Sequence, residues 1–349
     1  MMTKTRAWLI ATLTLAGMRL VIARDLSDDT TLALPTGNDA LFHGGGAEFY
    51  QYITRDFKGV KSTPWQGGQY GFVRDPVESS GGLVYSRFHE GIDIRPLRRD
   101  PAGEPIDEVR AIAAGRVMHV NLVPGYSNYG NYVVVEHHLN GANYYSLYGH
   151  LASVAVQRGE AVGRGARLGI MGHTGVGLDR TRAHLHLELN LLLSPRFESW
   201  YDHFVKNDPN HHGLYNGINL TGIDIARFYL AQRKSPGLTV PQFLSGEETF
   251  YKVKLPPAKN FDLPRRYPWL RPNASDASPP SWEIFFNRAG VPLRIAPGDT
   301  AVDAPVISFV KKRGGSYSDL TRGVVTGSSA NPRLSESGER LMRLLIWPD

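Results

Sequence analysis

His184-Leu-His-Leu-Glu-Leu189 alternates polar and apolar residues without a break. Side chains two apart share a face of an extended chain, so His184, His186 and Glu188 point one way while Leu185, Leu187 and Leu189 point the other. This reads as a strand with one face on a core and one face free for chemistry. Upstream, strand signals recur at 67–74, 83–88, 109–113, 115–120, 131–137, 143–148 and 166–171, and glycines separate nearly all of them. Ser79-Ser-Gly-Gly82 reads as the turn between the first two. No ten-residue helical stretch lies between these strands to make a parallel crossover. The expected fold class is therefore mainly β: an antiparallel β-sandwich or partly open barrel as the core, with a mixed accessory C-terminal region.

The composition agrees. The chain has 349 residues, with 42% hydrophobic, 21% charged, 37 glycines and 23 prolines, which is globular and rich in turns. It has no cysteine, so disulfides, thiolate nucleophiles and cysteine-held metals are excluded, and any metal must be held by His, Asp or Glu. No Gly-x-Ser-x-Gly elbow supports a serine nucleophile, and nothing positive marks a paired-carboxylate glycosidase.

Residues 1–23 read as a secretory signal peptide: Lys4 and Arg6 precede a twelve-residue apolar run, Ala7 to Met18, and Val21-Ile-Ala23 offers a cleavage site. The run is short for a bilayer span and Arg19 follows it, so export without stable membrane insertion is expected, to the periplasm or the cell exterior. Cleavage removes three basic residues and no acids, taking the formal charge from +6 to +3. With no basic stripe interleaved with aromatics, no nucleic-acid partner is expected.

The rest divides by texture into an N-terminal extension (24–65), the strand-rich core (66–195), an accessory extension (196–270), a Pro/Ser-rich linker (271–280) and a small α+β unit (281–349). Seven prolines fall between Pro256 and Pro280. A helix is expected over 223–234, ended by Pro236-Gly237, and another near Leu341, Leu344 and Leu345.

Two polar pairs stand out. His89 and Asp93 are four apart and share parity if extended, with Ile92 and Ile94 opposite; His184 and His186 are two apart. Two imidazoles and a carboxylate suit Zn²⁺, and three protein ligands leave a fourth tetrahedral position for water, as catalytic sites require. Other histidines lack that pattern: His137 and His138 are adjacent and face opposite ways, His211 and His212 lie in a polar turn, and His43, His119, His173 and His203 have no partner at ligand spacing. His173, in a Gly-rich turn, is a candidate to line the cleft.

Phe88-His-Glu-Gly-Ile-Asp-Ile94, Tyr148-Gly-His150-Leu151, Val162-Gly-Arg-Gly-Ala-Arg-Leu-Gly-Ile-Met-Gly-His-Thr-Gly175 and His184-Leu-His-Leu-Glu188 resemble, in the same order, the signature of the lysostaphin-type (LytM-like) zinc metallopeptidases. The resemblance covers residues 67–193. It implies zinc ligands His89, Asp93 and His186, catalytic histidines His150 and His184, an antiparallel β-fold and peptidoglycan peptides as substrate. The sequence departs from the family pattern at Leu187, where Phe is usual, and at Arg182-Ala183, where Gly-Pro is common. Glu188 is either an acceptor for an imidazole N–H or a solvated strand carboxylate.

The leading expectation is a secreted zinc endopeptidase acting on cell-wall cross-links, D-alanyl to diaminopimelate or a glycyl bridge. The alternative is a non-catalytic wall-binding or regulatory module on the same fold. A biotinyl- or lipoyl-type carrier, suggested by Ala113-Ala-Gly-Arg-Val117, is discarded because no lysine lies between Lys61 and Lys206.

Overall fold

The strand Leu185–Leu192 is the axis of the core, and all eight of its residues are buried. The computed structural model describes residues 31–272, 278–313 and 315–348. The expected signal peptide lies outside the described residues.

Leu185–Leu192 pairs on one side with Ala142–Gly149, and on the other with Ile92–Ile94 and Leu220–Gly222 laid end to end. Outward from Ala142–Gly149 follow Tyr132–Leu139, Gly115–Asn121 and the two-residue strand Ala161–Val162, completing a seven-stranded open sheet. Every strand pairing described is antiparallel, and no barrel closes among the described residues. The mainly β, antiparallel expectation is the architecture found.

Register comes from turn chemistry. Asn140 and Gly141, both with positive φ (53° and 76°), join Tyr132–Leu139 to Ala142–Gly149. Asn-Gly favours the two-residue turn whose twist matches that of its strands. A hairpin fixed there brings Gly149 opposite His186 and puts His150 one step beyond. The leucines of the central strand meet Val117, Val133, Val135 and Tyr148 in the main core.

That core does not stop at residue 195. It runs from Leu32 to Leu345 and takes in Phe197 and Trp200 of the helix Phe197–Phe204, Phe228 of the helix Ile225–Lys234, and Tyr251, Ile284 and Ile295 of a four-stranded sheet. In that sheet Tyr251–Leu255 pairs along its length with Ser281–Phe286 and, on its other edge, with Val306–Val310. Residues 271–280 thus connect strands of one sheet, which corrects the linker expected there: a proline-rich stretch stops a strand whether or not a domain stops with it. Among the described residues no helix is long and apolar enough to cross a membrane.

His137 is buried within the seven-stranded sheet, where Nδ1 donates to the Ala114 carbonyl at 2.9 Å and Nε2 meets Ser146 Oγ at 2.6 Å. Burial lowers its pKa to about 4, opposed by the Ala114 carbonyl.

Two outcomes follow from this packing. A chain ending near Arg271 leaves Tyr251–Leu255 without either neighbouring strand, and it is expected to lose its cooperative thermal transition by circular dichroism; a retained transition shows that residues 31–271 fold alone. The unfolded His137 imidazole takes up its proton near pH 6.5 and the folded one only near 4, so the folded state is favoured above 6.5 and loses that advantage as pH falls toward 4. The loss is about 3 kcal/mol. Urea midpoints at pH 7.5 and 4.5 are expected to differ more in the wild type than in His137→Gln.

Candidate metal centre

His89 closes the strand Gly82–His89, opposite Gly71. The chain bends at Glu90-Gly91 and re-enters the sheet as Ile92–Ile94, where register sets Asp93 directly opposite His186. His89 and Asp93 therefore converge through a bend, not along one extended run. Gly91 makes the bend possible: a Cβ there would sit 2.3 Å from the Leu187 carbonyl oxygen. His186 lies between Asp93 and Gly149, the next residue being His150, whose φ of 62° is held by its N–H to the Tyr129 carbonyl at 2.7 Å. His184 precedes the central strand and bridges to Gly172.

All five residues are buried side chains on one cleft of about 1100 Å³. His89 Nε2 is 3.1 Å from His186 Nδ1 and 3.1 Å from Asp93 Oδ1, and His186 Nδ1 is 3.0 Å from the same oxygen. His184 Nε2 reaches Asp93 Oδ1 at 3.3 Å. The His150 ring lies 4.6 Å from His184 and 5.9 Å from His186, centre to centre.

The outer nitrogens fix the protons. His89 Nδ1 faces the Gln69 carbonyl at 2.8 Å, His150 Nδ1 the Thr174 carbonyl at 2.8 Å, and His184 Nδ1 the Arg182 carbonyl at 2.6 Å. A carbonyl has no hydrogen, so each of those nitrogens donates and the Nε2 of each neutral ring is left as an acceptor. His186 Nε2 donates to Glu188 Oε1 at 2.8 Å, so its Nδ1 is likewise the inward acceptor. Around Asp93 Oδ1, then, His89 Nε2, His186 Nδ1 and His184 Nε2 converge at 3.0–3.3 Å, and with every ring neutral no hydrogen would lie between them. Only a cation relieves that.

The dimensions fit a metal. Ligands about 2.0–2.1 Å from a tetrahedral zinc lie about 3.3 Å from one another. The ligating atoms of His89, Asp93 and His186 fall within 4.8 Å of one another, and the closest approaches are 3.0–3.1 Å. The protonation states fit too. Burial holds His89 below its ordinary pKa against the pull of Asp93, and burial with the neighbouring His184 and His186 holds His150 well below, so both rings stay neutral. Burial works against ionisation of Asp93, but His184, His89 and Arg74 together keep its carboxyl well below the usual range. Burial likewise works against His186, which Asp93 and Glu188 nevertheless raise to about 9, so that in the metal-free chain a proton answers the need for a cation.

Sequence reasoning missed two supports. Arg74 Nη2 binds Asp93 Oδ2 at 2.6 Å; it is aimed there by a bulge between Phe72 and Arg74 that no local pattern announces. Tyr129 donates its hydroxyl to Glu188 Oε1 at 2.8 Å and lays its ring 5.2 Å from His186. Glu188 takes the first of its two readings: a buried carboxylate that orients His186, with Asn190 Nδ2 on its other oxygen at 2.8 Å. The alternation that places Glu188 on the face of His186 was the signal available. His173 turns instead to Glu104, at 3.0 Å.

Residues 87–195 match the sequence model of Peptidase family M23, so this part of the chain is an M23 peptidase domain. The match contains all five site residues and leaves Arg74 just outside. Among curated proteins, the chain is 45% identical over 60 residues to the peptidoglycan DD-endopeptidase ShyA of Vibrio cholerae, covering 17% of this chain and 13% of that one. It is 31% identical over 105 residues to an uncharacterized metalloprotease of Haemophilus influenzae, covering 30% of this chain and 19% of that one. The chain thus spans less than a fifth of the length of either relative. Among solved structures, the catalytic domain of lysostaphin from Staphylococcus simulans aligns at 27% identity over 36% of this chain and 82% of that one, with a TM-score of 0.24. A zinc-containing peptidase from Vibrio cholerae aligns at 28% identity over 41% and 36%, with a TM-score of 0.25.

Gly91→Ala tests the bend. The added methyl must displace the central strand, at an expected cost of about 1–3 kcal/mol in urea denaturation; an unchanged midpoint shows that the bend has slack.

Proposed function

We propose that this chain is a secreted zinc metalloendopeptidase that hydrolyses peptide cross-links of peptidoglycan, in the periplasm or outside the cell. The observation that carries the reading is the convergence of His89, Asp93 and His186 at ligand spacing, set on a cleft beside two further imidazoles, His150 and His184, whose Nδ1 atoms are held by backbone carbonyls. The M23 match over the same residues supports it, and the similarity to a DD-endopeptidase favours the D-alanyl to diaminopimelate cross-link.

His89, Asp93 and His186 would hold the ion. When bound, zinc supplies Lewis-acid activation of water and of the scissile carbonyl. The remaining work falls to the chain. Asp93 is kept ionised by His184, His89 and Arg74, and His186 is held in orientation by Glu188 and Tyr129. His150 and His184 each keep Nδ1–H on a backbone carbonyl and present Nε2 to the cleft. One of them takes the proton released as water attacks and returns it to the departing amine; the other, once protonated, donates to the carbonyl oxygen as negative charge develops there. The rigid carbonyl anchors fix both rings before substrate arrives.

Zinc content and muropeptide release, measured side by side on three variants, test the assignment. His186→Ala is expected to lose both metal and activity. His150→Ala and His184→Ala are expected to keep stoichiometric zinc while losing about 10²- to 10⁴-fold in rate. If His184→Ala loses the metal and His186→Ala keeps it, the roles within the pair are reversed. A wild type that binds zinc yet releases no muropeptide is instead the wall-binding module.

A further inference from the structure

Five arginines line the cleft, and four of them already have an acid. Arg74 binds Asp93 at 2.6 Å, Arg322 binds Glu90 at 2.8 Å, Arg87 lies 3.9 Å from Asp75, and Arg340 pairs with Glu336. Arg182 is the exception: among the described residues it makes no ion pair. Its Nη1 makes one long bond, 3.3 Å, to the Gly177 carbonyl, and its Nε is buried with no hydrogen-bond partner. The nearby Asp179 carboxylate is taken up by the Thr181 hydroxyl at 2.6 Å and by the Arg182 backbone N–H at 3.0 Å, and the guanidinium acts on it only through space.

A buried N–H without a partner costs about 1–3 kcal/mol unless something arrives to accept it. The donors not used within the chain are the buried Nε and Nη2, two parallel N–H groups at the spacing of the two oxygens of a carboxylate, on a residue that lines the cleft. The carbonyl of the same residue receives His184 Nδ1 at 2.6 Å, so this donor edge belongs to the residue that sets the orientation of His184.

We infer that Arg182 is a substrate-binding residue that receives a free carboxylate of the peptide chain, and that the cleft selects acidic peptides over their amides. This rests on the peptidase reading for the identity of the peptide, a stem peptide of peptidoglycan, whose D-glutamyl, diaminopimelyl and terminal D-alanyl residues carry such carboxylates.

The test is equilibrium binding to the zinc-loaded full chain, by titration calorimetry. The probes are the uncross-linked tetrapeptide L-Ala-γ-D-Glu-diaminopimelyl-D-Ala and the same peptide with its carboxylates converted to primary amides; neither contains a cross-link to be cut. The wild type is expected to bind the acid form about 10- to 100-fold more tightly, the contribution of a charge-assisted bidentate contact. Arg182→Gln is expected to abolish that preference, and Arg182→Lys to retain part of it with a single-point charge. Thermal midpoints of both variants should stay near wild type, since the side chain gives up only one long bond. Equal binding of the two peptides by the wild type, no binding of either, or an unchanged ratio in Arg182→Gln overturns the inference. A preference that Arg182→Gln abolishes, in a chain that releases no muropeptides, sinks the peptidase reading and leaves the carboxylate site standing.

Discussion

Three imidazole nitrogens converge on one carboxylate oxygen, and with neutral rings they have no hydrogen to share. Such a cluster is unfavourable by itself, and much of the surrounding structure serves to hold it. Three backbone carbonyls and the Glu188 carboxylate take the outer nitrogens. Arg74 compensates the charge on Asp93, and the register of three strands brings Asp93, His186 and Gly149 side by side. Burial on a central strand removes the water that would otherwise screen the repulsion. A cation set among these atoms turns the least favourable feature of the fold into a favourable one, which is why metal binding and folding are coupled in such sites.

What was legible in the sequence follows from the range of each interaction. Alternation along 184–189 is local, so the strand, its two faces and the shared side of His184, His186 and Glu188 could all be read directly. The strands 115–121, 132–139 and 142–149 were similarly visible, because β-branched and aromatic residues fill them and glycines end them. The proximity of His89 and Asp93 was expected from the right residues by an incomplete route: a shared parity was read, whereas Gly91 bends the chain and two different strand pairings bring the side chains together. Arg74 was invisible, because a bulge sets its direction and a bulge depends on the partner strand.

The boundary at 271–280 illustrates the opposite error. Proline and serine report that a strand has ended; they carry no information about which strand comes next in the sheet. Only the pairing of Tyr251–Leu255 with Ser281–Phe286 shows the two sides to be one layer. The C-terminal region then does more than extend the core. Arg322 reaches Glu90 in the bend beside His89, while Ala289, Arg340 and Leu341 form part of the cleft wall. The cleft wall is therefore built from both the stretch that matches M23 and a region outside it.

The central claim is that His89, Asp93 and His186 together hold one zinc ion. Anomalous X-ray scattering at the zinc absorption edge, from crystals of the zinc-loaded full chain, measures this most directly. The account predicts a single strong peak between His89 Nε2, His186 Nδ1 and Asp93 Oδ1. A peak held by other residues, or none at this cluster, would contradict it.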